Sequence, residues 1–135
     1  MSYVTTGIES ETITTDPETG GQKGKKLAQV GALDPVSLYH VAEVAGYGAD
    51  KYAPFNYLKG YDFSLSYDAL QRHLQKFWMG ETVDPESELQ HLGHAAWHCL
   101  TLLSFTLRGV GTDDRPPSFE AMLEQARRDP IGGQR

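Results

Sequence analysis

Three histidines in one short segment are the side chains of this sequence best suited to chemistry: His91, His94 and His98. Spacings of three and four residues place them within an arc of about 60° on a helix, beside its apolar stripe. Imidazoles that converge on one point can hold a metal ion or carry a proton near neutral pH. The alternative is a structural role in the core, above all for His98, which follows Trp97.

Carboxylates lie just upstream of these histidines, at Asp84, Glu86 and Glu88, with Glu81 before them. Carboxylate oxygens are the ligands that Mg²⁺ and Mn²⁺ prefer. The segment therefore predicts a divalent-cation site. Two of these residues also have simpler interpretations, because Asp84 can cap a helix and Glu86 can complement a helix dipole.

Further candidates come from two other predicted helices. His73 sits within the apolar face of the second helix, where it either bonds a backbone carbonyl or faces the same site as His91 and His94. On the first helix, Glu43 and Asp50 lie two turns apart on the polar side. That side faces water in a monomer and lines a cleft in a dimer or in a bundle packed on both sides.

Apolar periodicity and capping signals predict the elements that must position these groups. Asp-Pro at 34–35 and again at 84–85, with Gly109 as a terminator, are typical helix limits. The predicted helices are 34–53, 66–79, 85–108 and 119–128. No segment alternates as a strand does. We therefore expect an all-α fold, a small bundle of three main helices plus a short C-terminal helix, completed by oligomerisation.

The composition of the chain limits the kinds of molecule that it is expected to bind. The chain has 135 residues, 12 Lys+Arg against 18 Asp+Glu and a formal net charge of −6, which disfavours nucleic-acid binding. No apolar run is long enough for a membrane span, and no secretory signal is visible. The single cysteine, Cys99, excludes an intramolecular disulfide. These features predict a cytoplasmic protein that binds neither nucleic acid nor membrane.

Several segments together resemble a known family. They are Gly46-Tyr-Gly-Ala-Asp-Lys-Tyr52, Asn56, Arg72-His-Leu74, Gly80-Glu81, Asp84-Pro-Glu-Ser87 and His91-Leu-Gly-His94. This combination, over about residues 20 to 108, resembles the phage-associated, MazG-like, all-α nucleotide pyrophosphohydrolases, which include dATP/dGTP diphosphohydrolases of the MazZ type. The resemblance implies hydrolysis of a (deoxy)nucleoside triphosphate, dGTP or dATP, to monophosphate and pyrophosphate. It also implies Mg²⁺ or Mn²⁺ and a homo-oligomer, either dimer or tetramer.

One departure from the family pattern bears on the metal ligands. The usual signature pairs Glu-x-x-Glu on one helix with Glu-x-x-Asp on the next, but Glu43 is followed by Gly46 and Tyr47 at the position of the second Glu. His91 and His94 are therefore candidates to replace carboxylates. The metal candidates are Glu43, Glu81, Asp84, Glu86, His91 and His94, with Asp50 in reserve. The catalytic candidates are Glu86, His91 and His94.

Nucleotide binding is assigned to residues that offer positive charge, hydrogen bonds or aromatic surface. They are Lys51, Tyr52, Asn56, Lys59, His73, Lys23 and Lys25. The corresponding domain organisation is a flexible Gly/Lys-containing arm at 1–32, an all-α catalytic domain at 33–110 and a C-terminal extension with a short helix at 111–135. The basic arm either contacts phosphate or is a solvated tail.

Two other functions compete with this assignment. A non-catalytic helical module that binds a host or phage protein would use the histidines as core residues and the aromatic loop as a contact patch. A metal phosphohydrolase of the His-Asp type is disfavoured, because no adjacent His-Asp pair occurs.

Overall fold

The computed structural model describes residues 11–129, which form a helical body preceded by a short hairpin. The strands are β1 (Glu11–Thr15) and β2 (Gln22–Lys26), and the helices are α1 (Pro35–Lys51), α2 (Phe63–Trp78), α3 (His91–Arg108) and α4 (Phe119–Arg128). Short 3-10 turns occupy Val30–Ala32 and Asn56–Lys59. The start of the predicted arm, 1–10, and the end of the predicted extension, 130–135, lie outside the described residues.

The first and last helices begin where the sequence predicts. The Asp34 carboxylate accepts the N–H groups of Val36 and Ser37, and Pro35 occupies the first turn. The Ser118 hydroxyl accepts the N–H of Ala121 at the start of α4. These caps satisfy N–H groups that have no partner within the helix, and so they fix the helix starts.

The prediction that α3 begins at Pro85 is wrong. Asp84 opens a tight turn, because its Oδ1 accepts the Glu86 N–H at 2.9 Å and its backbone N–H bonds Leu89 O at 2.8 Å. Glu88 takes a left-handed conformation with φ 62° within this turn. The helix starts only at His91, six residues later than predicted. An Asp side chain that bonds the backbone two residues on favours a turn over a helix.

The expectation that the chain contains no strand is also wrong, because β1 and β2 pair antiparallel with Glu11 opposite Lys26. The hairpin is closed by a turn in which the Asp16 carboxylate accepts two N–H groups and Gly20 adopts φ 75°. Both strands are almost entirely exposed. Local turn chemistry rather than core packing therefore selects this hairpin, which is why the apolar pattern gave no signal for it.

Helix α3 is the centre of the body, with α2 and α1 packed against it. Gly93 permits the approach of α1: a Cβ atom there would lie 3.3 Å from His40 O and 3.3 Å from Val44 Cγ2. Phe105, which is fully buried, contacts the ring of Tyr61 at a centroid distance of 4.9 Å. Phe105 also stacks on Phe63 of α2 at a centroid distance of 6.0 Å, so these contacts join α1 and α2 to α3.

Burial on α3 does not follow its apolar residues alone, because several polar residues are buried beside Ala95 and Phe105 while several leucines are exposed. The buried residues include His91, His94 and Thr101, whereas Leu92 and Leu103 on the apolar stripe are 44% and 53% exposed. Helix α2 behaves in the same way, since its apolar end at Trp78 is 87% exposed. Within residues 11–129, no helix combines the length and the apolarity that crossing a bilayer requires.

Candidate metal and nucleotide site

Four imidazoles gather between α2 and α3. The His73 ring, from α2, is parallel to the His94 ring within 3° at a centroid distance of 4.4 Å. Its centroid lies 5.1 Å from that of His91 and 6.2 Å from that of His98. The spacings of three and four on α3 thus bring its three histidines to one place, and α2 supplies the fourth.

Each ring is oriented by a hydrogen bond. His91 Nε2 lies 2.7 Å from Glu81 Oε1, and His91 Nδ1 lies 2.9 Å from His73 Nδ1. His94 Nε2 lies 2.7 Å from the Ser87 hydroxyl. The Ser66 hydroxyl lies 3.0 Å from a nitrogen of the remaining imidazole, His98. No buried side-chain polar atom within the described part of the chain lacks a partner.

Burial disfavours the charged form of three of these imidazoles, His73, His94 and His98. The pKa of His73 is lowered to about 4, chiefly by burial and next by the neighbouring His94. Burial also lowers the pKa of His98 to about 4, with His73 as the next cause. The pKa of His94 falls for the same first reason, although Asp84 opposes the shift. Neutral imidazoles keep a lone pair free, which is the form that binds metals.

Two of these imidazoles and a neighbouring carboxylate could bind one cation together. His73, Asp84 and His94 each offer one ligand atom, and these atoms lie within 4.8 Å of one another. Asp84 is 8% exposed, and its Oδ2 lies 3.9 Å from His94 Nε2. A cation binds an imidazole in the plane of the ring, so the parallel rings of His73 and His94 require one of them to turn before both can ligate. The donor set itself, two nitrogens and one carboxylate, fits a divalent transition metal.

A cleft of about 830 Å³ opens beside this group, with walls from α1, α2, α3 and the loop at 52–61. Pockets for small ligands commonly enclose ~300–1,000 Å³. Its charged lining residues are Lys51, Arg72, Asp84 and Glu86. Its aromatic lining residues are Tyr47, Tyr52, Phe55, Tyr57, Tyr61 and Trp97.

The structure brings many of the predicted site residues together. Those that line the cleft are Lys51, Tyr52, Asn56, His73, Asp84, Glu86 and His94. His91 is fully buried and bonded to Glu81, and neither residue is part of the cleft wall.

Other predicted residues lie elsewhere. Glu43 Oε1 is 3.2 Å from His40 Nδ1 on the exposed side of α1. Lys23 and Lys25 belong to strand β2 of the hairpin, and Lys59 ends a 3-10 turn. None of these residues lines the cleft, nor does the reserve candidate Asp50. The carboxylate of α1 that the family signature favours is therefore separate from the His73, Asp84 and His94 group.

Sequence reasoning assigned no role to Arg72, Ser87 or Trp97. Arg72 and Trp97 line the cleft, and the Ser87 hydroxyl orients His94. Arg72 precedes His73 directly, so a cation beside a candidate ligand was the available signal. Ser87 lies seven residues before His94, and only the turn at Asp84 brings the two together.

Comparison with known proteins adds one match. The family model for dATP/dGTP diphosphohydrolase, N-terminal, matches residues 17–115. That range includes all of the cleft residues and confirms the family-level resemblance found in the sequence. No curated protein and no solved structure matches the chain.

Proposed function

Because the chain belongs to the dATP/dGTP diphosphohydrolase N-terminal family, we propose that it hydrolyses dGTP or dATP to the monophosphate and pyrophosphate. One observation carries the proposal: a single cleft combines a candidate metal group, two cationic side chains and a wall of aromatic rings. A nucleoside triphosphate has three matching parts, since its phosphates bind cations and its base stacks on aromatic surface.

The charges of the cleft support a requirement for a divalent cation. Lys51 and Arg72 contribute two positive charges to its wall, and Asp84 and Glu86 contribute two negative charges. His73 and His98 add no charge at pH 7, because burial holds the pKa of each at about 4, and burial lowers the pKa of His94 as well. The lining alone therefore offers a triphosphate no net positive charge. A bound divalent cation supplies it.

His73, Asp84 and His94 would hold this cation. Mg²⁺ strongly prefers oxygen ligands, whereas a set with two imidazoles suits a transition metal better, so we expect Mn²⁺ to be bound more tightly than Mg²⁺. When bound, the cation neutralises phosphate charge and makes water more acidic.

The remaining groups bind and orient the substrate. Lys51 and Arg72 would pair with phosphate oxygens and stabilise the pyrophosphate as it leaves. Trp97 and Tyr52 offer ring faces for the base. Glu86, a carboxylate on the cleft wall, would accept the proton of the attacking water as general base. His91 lies outside the wall, so we assign it no contact with substrate.

The test is direct. We expect protein incubated with Mn²⁺ and dGTP, or dATP, to release pyrophosphate and a deoxynucleoside monophosphate in equal amounts, measured by ion-exchange chromatography. Asp84→Asn should lose at least ~100-fold in rate, since it removes a proposed ligand charge from the cation site. Asp68→Asn, a matched change on the exposed side of α2, should leave the rate unchanged. Release of orthophosphate, or no reaction with either nucleotide, would contradict the proposal.

The many exposed apolar side chains support self-association. Among the described residues only Val44, Phe63, Ala95 and Phe105 are buried hydrophobics. A shallow apolar depression on α2 and α3 is lined by Leu74, Phe77, Trp78, Met79 and Leu92, together with Gln75. We propose that a second copy of the chain covers this apolar surface, giving a homodimer or a higher even-numbered assembly. Large apolar surfaces seldom stay exposed in a monomer.

Light scattering coupled to size exclusion tests this assembly. Trp78→Ser should shift the mass toward the monomer, whereas Val36→Ser, at an exposed residue of α1, should not.

Calorimetry distinguishes the enzyme from the non-catalytic binding module. Heat released on mixing with Mn²⁺ and dGTP supports the enzyme, and the absence of heat favours the module. With a deoxynucleoside triphosphate as its substrate, we propose that the protein acts in the cytoplasm.

A further inference from the structure

We propose that Asn56 selects purine bases, by donating a hydrogen bond from its side-chain amide to N7 of a base that lies against Trp97. Asn56 is then a specificity-determining residue of the cleft. The inference rests on the proposed function, because it takes the ligand to be a deoxynucleoside triphosphate whose phosphates lie at the His73, Asp84 and His94 group.

The side-chain amide of Asn56 is open to a ligand. The residue is half-buried and lines the cleft, and it is the single asparagine of the chain. Its backbone N–H donates to Ala53 O at 3.1 Å, but its side-chain amide has no hydrogen-bond partner among residues 11–129. The Tyr61 hydroxyl, also on the cleft wall, is by contrast bonded to Ser66 at 2.6 Å. Asn56 therefore offers a ligand two N–H donors and one acceptor oxygen.

A fixed aromatic surface lies next to this amide. Tyr57, which follows Asn56, packs against the Trp97 ring at a centroid distance of 5.6 Å with the ring planes at 80°. The Trp97 ring also contacts His98, at 5.0 Å and 85°. Two contacts of this kind hold the indole in one orientation, and all four residues line the cleft. A base that packs on Trp97 therefore presents its edge beside Asn56.

The backbone holds Asn56 in place. Phe55 takes a left-handed conformation with φ 58°, and its carbonyl accepts the Leu58 N–H at 3.0 Å in the 3-10 turn Asn56–Lys59. This conformation is uncommon for a bulky residue, and such conformations occur often at ligand sites. The turn gives the amide a fixed starting point, which reduces the entropy lost when a base binds.

Helix α3 sets the spacing between base and phosphates. Trp97 follows the candidate ligand His94 by three residues, a rise of about 4.5 Å along the helix. Residues three apart are neighbours on a helix surface, and both of these line the cleft. In a deoxynucleoside triphosphate the sugar separates the base from the first phosphate. Phosphates held at His94 therefore leave the base at Trp97.

The chemistry of the base edge explains why an asparagine suits both purines. Adenine presents the N7 acceptor beside an amino donor, whereas guanine presents N7 beside the O6 acceptor. The Asn56 amide can pair with adenine through one N–H and its oxygen. It can pair with guanine through its amino group alone. Thymine and cytosine have no N7, so neither can make the bond that the two purines share.

The first experiment compares dGTP and dATP with their 7-deaza analogues, in which a C–H group replaces N7. With Mn²⁺ and unaltered protein, we expect kcat/KM to be about 10-fold lower for each analogue. Asn56→Ala should lower kcat/KM for dGTP and dATP by a similar factor and abolish the difference between each nucleotide and its analogue. Gln125→Ala, which removes an exposed side-chain amide on α4, should leave that difference unchanged.

A second variant gives a change that general damage to the cleft does not produce. Asn56→Asp replaces the amide with a carboxylate, which only accepts hydrogen bonds. It can still accept from the adenine amino group, but it repels both N7 and O6 of guanine. We therefore expect the ratio of kcat/KM for dATP to that for dGTP to rise at least ~10-fold. An unchanged or lower ratio would contradict the assignment of Asn56.

Equal kcat/KM values for dGTP and 7-deaza-dGTP in unaltered protein would overturn the inference and leave the proposed function standing. A difference that persists in Asn56→Ala would overturn it too. Circular dichroism establishes whether the variants fold; if they do not, the analogues with unaltered protein still decide. If no pyrophosphate is released, the proposed function fails, and calorimetry makes the same comparison on dissociation constants with Mn²⁺ present. An analogue that binds about 10-fold more weakly then supports this inference alone, and equal affinities or no binding overturn it.

Discussion

Acid should destabilise this protein through its imidazole cluster. The pKa of His73 and of His98 is about 4 in the folded chain, against 6.5 for an unperturbed histidine. Between those two values the unfolded chain binds more protons, so the free energy of unfolding falls as the pH decreases from about 6.5 toward 4. At pH 5 full linkage would be about 2 kcal/mol per ring. Both rings face the cleft, and solvent screening reduces this to about 1 kcal/mol each, or about 2 kcal/mol together.

Urea denaturation of EDTA-treated protein at pH 7.5 and pH 5.0, followed by circular dichroism, measures the difference. His73→Gln should reduce the pH-dependent loss by about 1 kcal/mol, whatever its effect on absolute stability. Val36→Ser, at an exposed residue of α1 that carries no titratable group, should leave the loss unchanged. A free energy of unfolding that is equal at both pH values, or greater at pH 5.0, would refute the reasoning from burial to neutral imidazoles.

Three further predictions concern the backbone. Gly60→Ala should destabilise the fold by more than ~2 kcal/mol, because φ is 86° and a Cβ atom would lie 2.6 Å from Gly111 N. Gly80→Ala should cost only ~1 kcal/mol, because φ is 101° there but no atom lies within 4 Å of the added Cβ. Equal losses of unfolding free energy in urea melts would contradict a steric clash at Gly60. Glu88→Gly should raise stability by up to ~1 kcal/mol by relieving the left-handed conformation at φ 62°, and a thermal melt that shows a loss would disprove this. Ser118→Ala should cost ~1 kcal/mol of α4 stability, seen as faster amide exchange in its first turn, and unchanged exchange would exclude the cap.

The sequence predicted the helices best where a cap and a periodic pattern agree, as at Asp34 and Ser118. It predicted them least well at Asp84, where the same Asp-Pro signal opens a turn. Nothing in the local sequence distinguishes a cap from an Asx turn there. The difference is made by the bond between Asp84 N and Leu89 O and by the left-handed Glu88, which form only when the segment folds back on itself.

For the candidate site, spacing predicted that the histidines of α3 would converge, and they do. Spacing could not predict which groups lie at the surface of the cleft, because that depends on how α2 and α1 pack on α3. Arg72 reaches the cleft and Glu43 does not for this reason. The apolar residues of α3 do not reveal which of its faces is buried, because the polar residues His91 and Thr101 are buried and Leu103 is exposed.

Gly93 has a consequence for how such a protein can change over evolutionary time. Its missing side chain sets the separation between α1 and α3, and both helices contribute residues to the lining of the cleft. Replacement by Ala would push on His40 O and Val44, and α1 would have to move outward by a few tenths of an ångström or more. A single substitution that does not line the cleft can therefore change its width, without any change in the residues that line it.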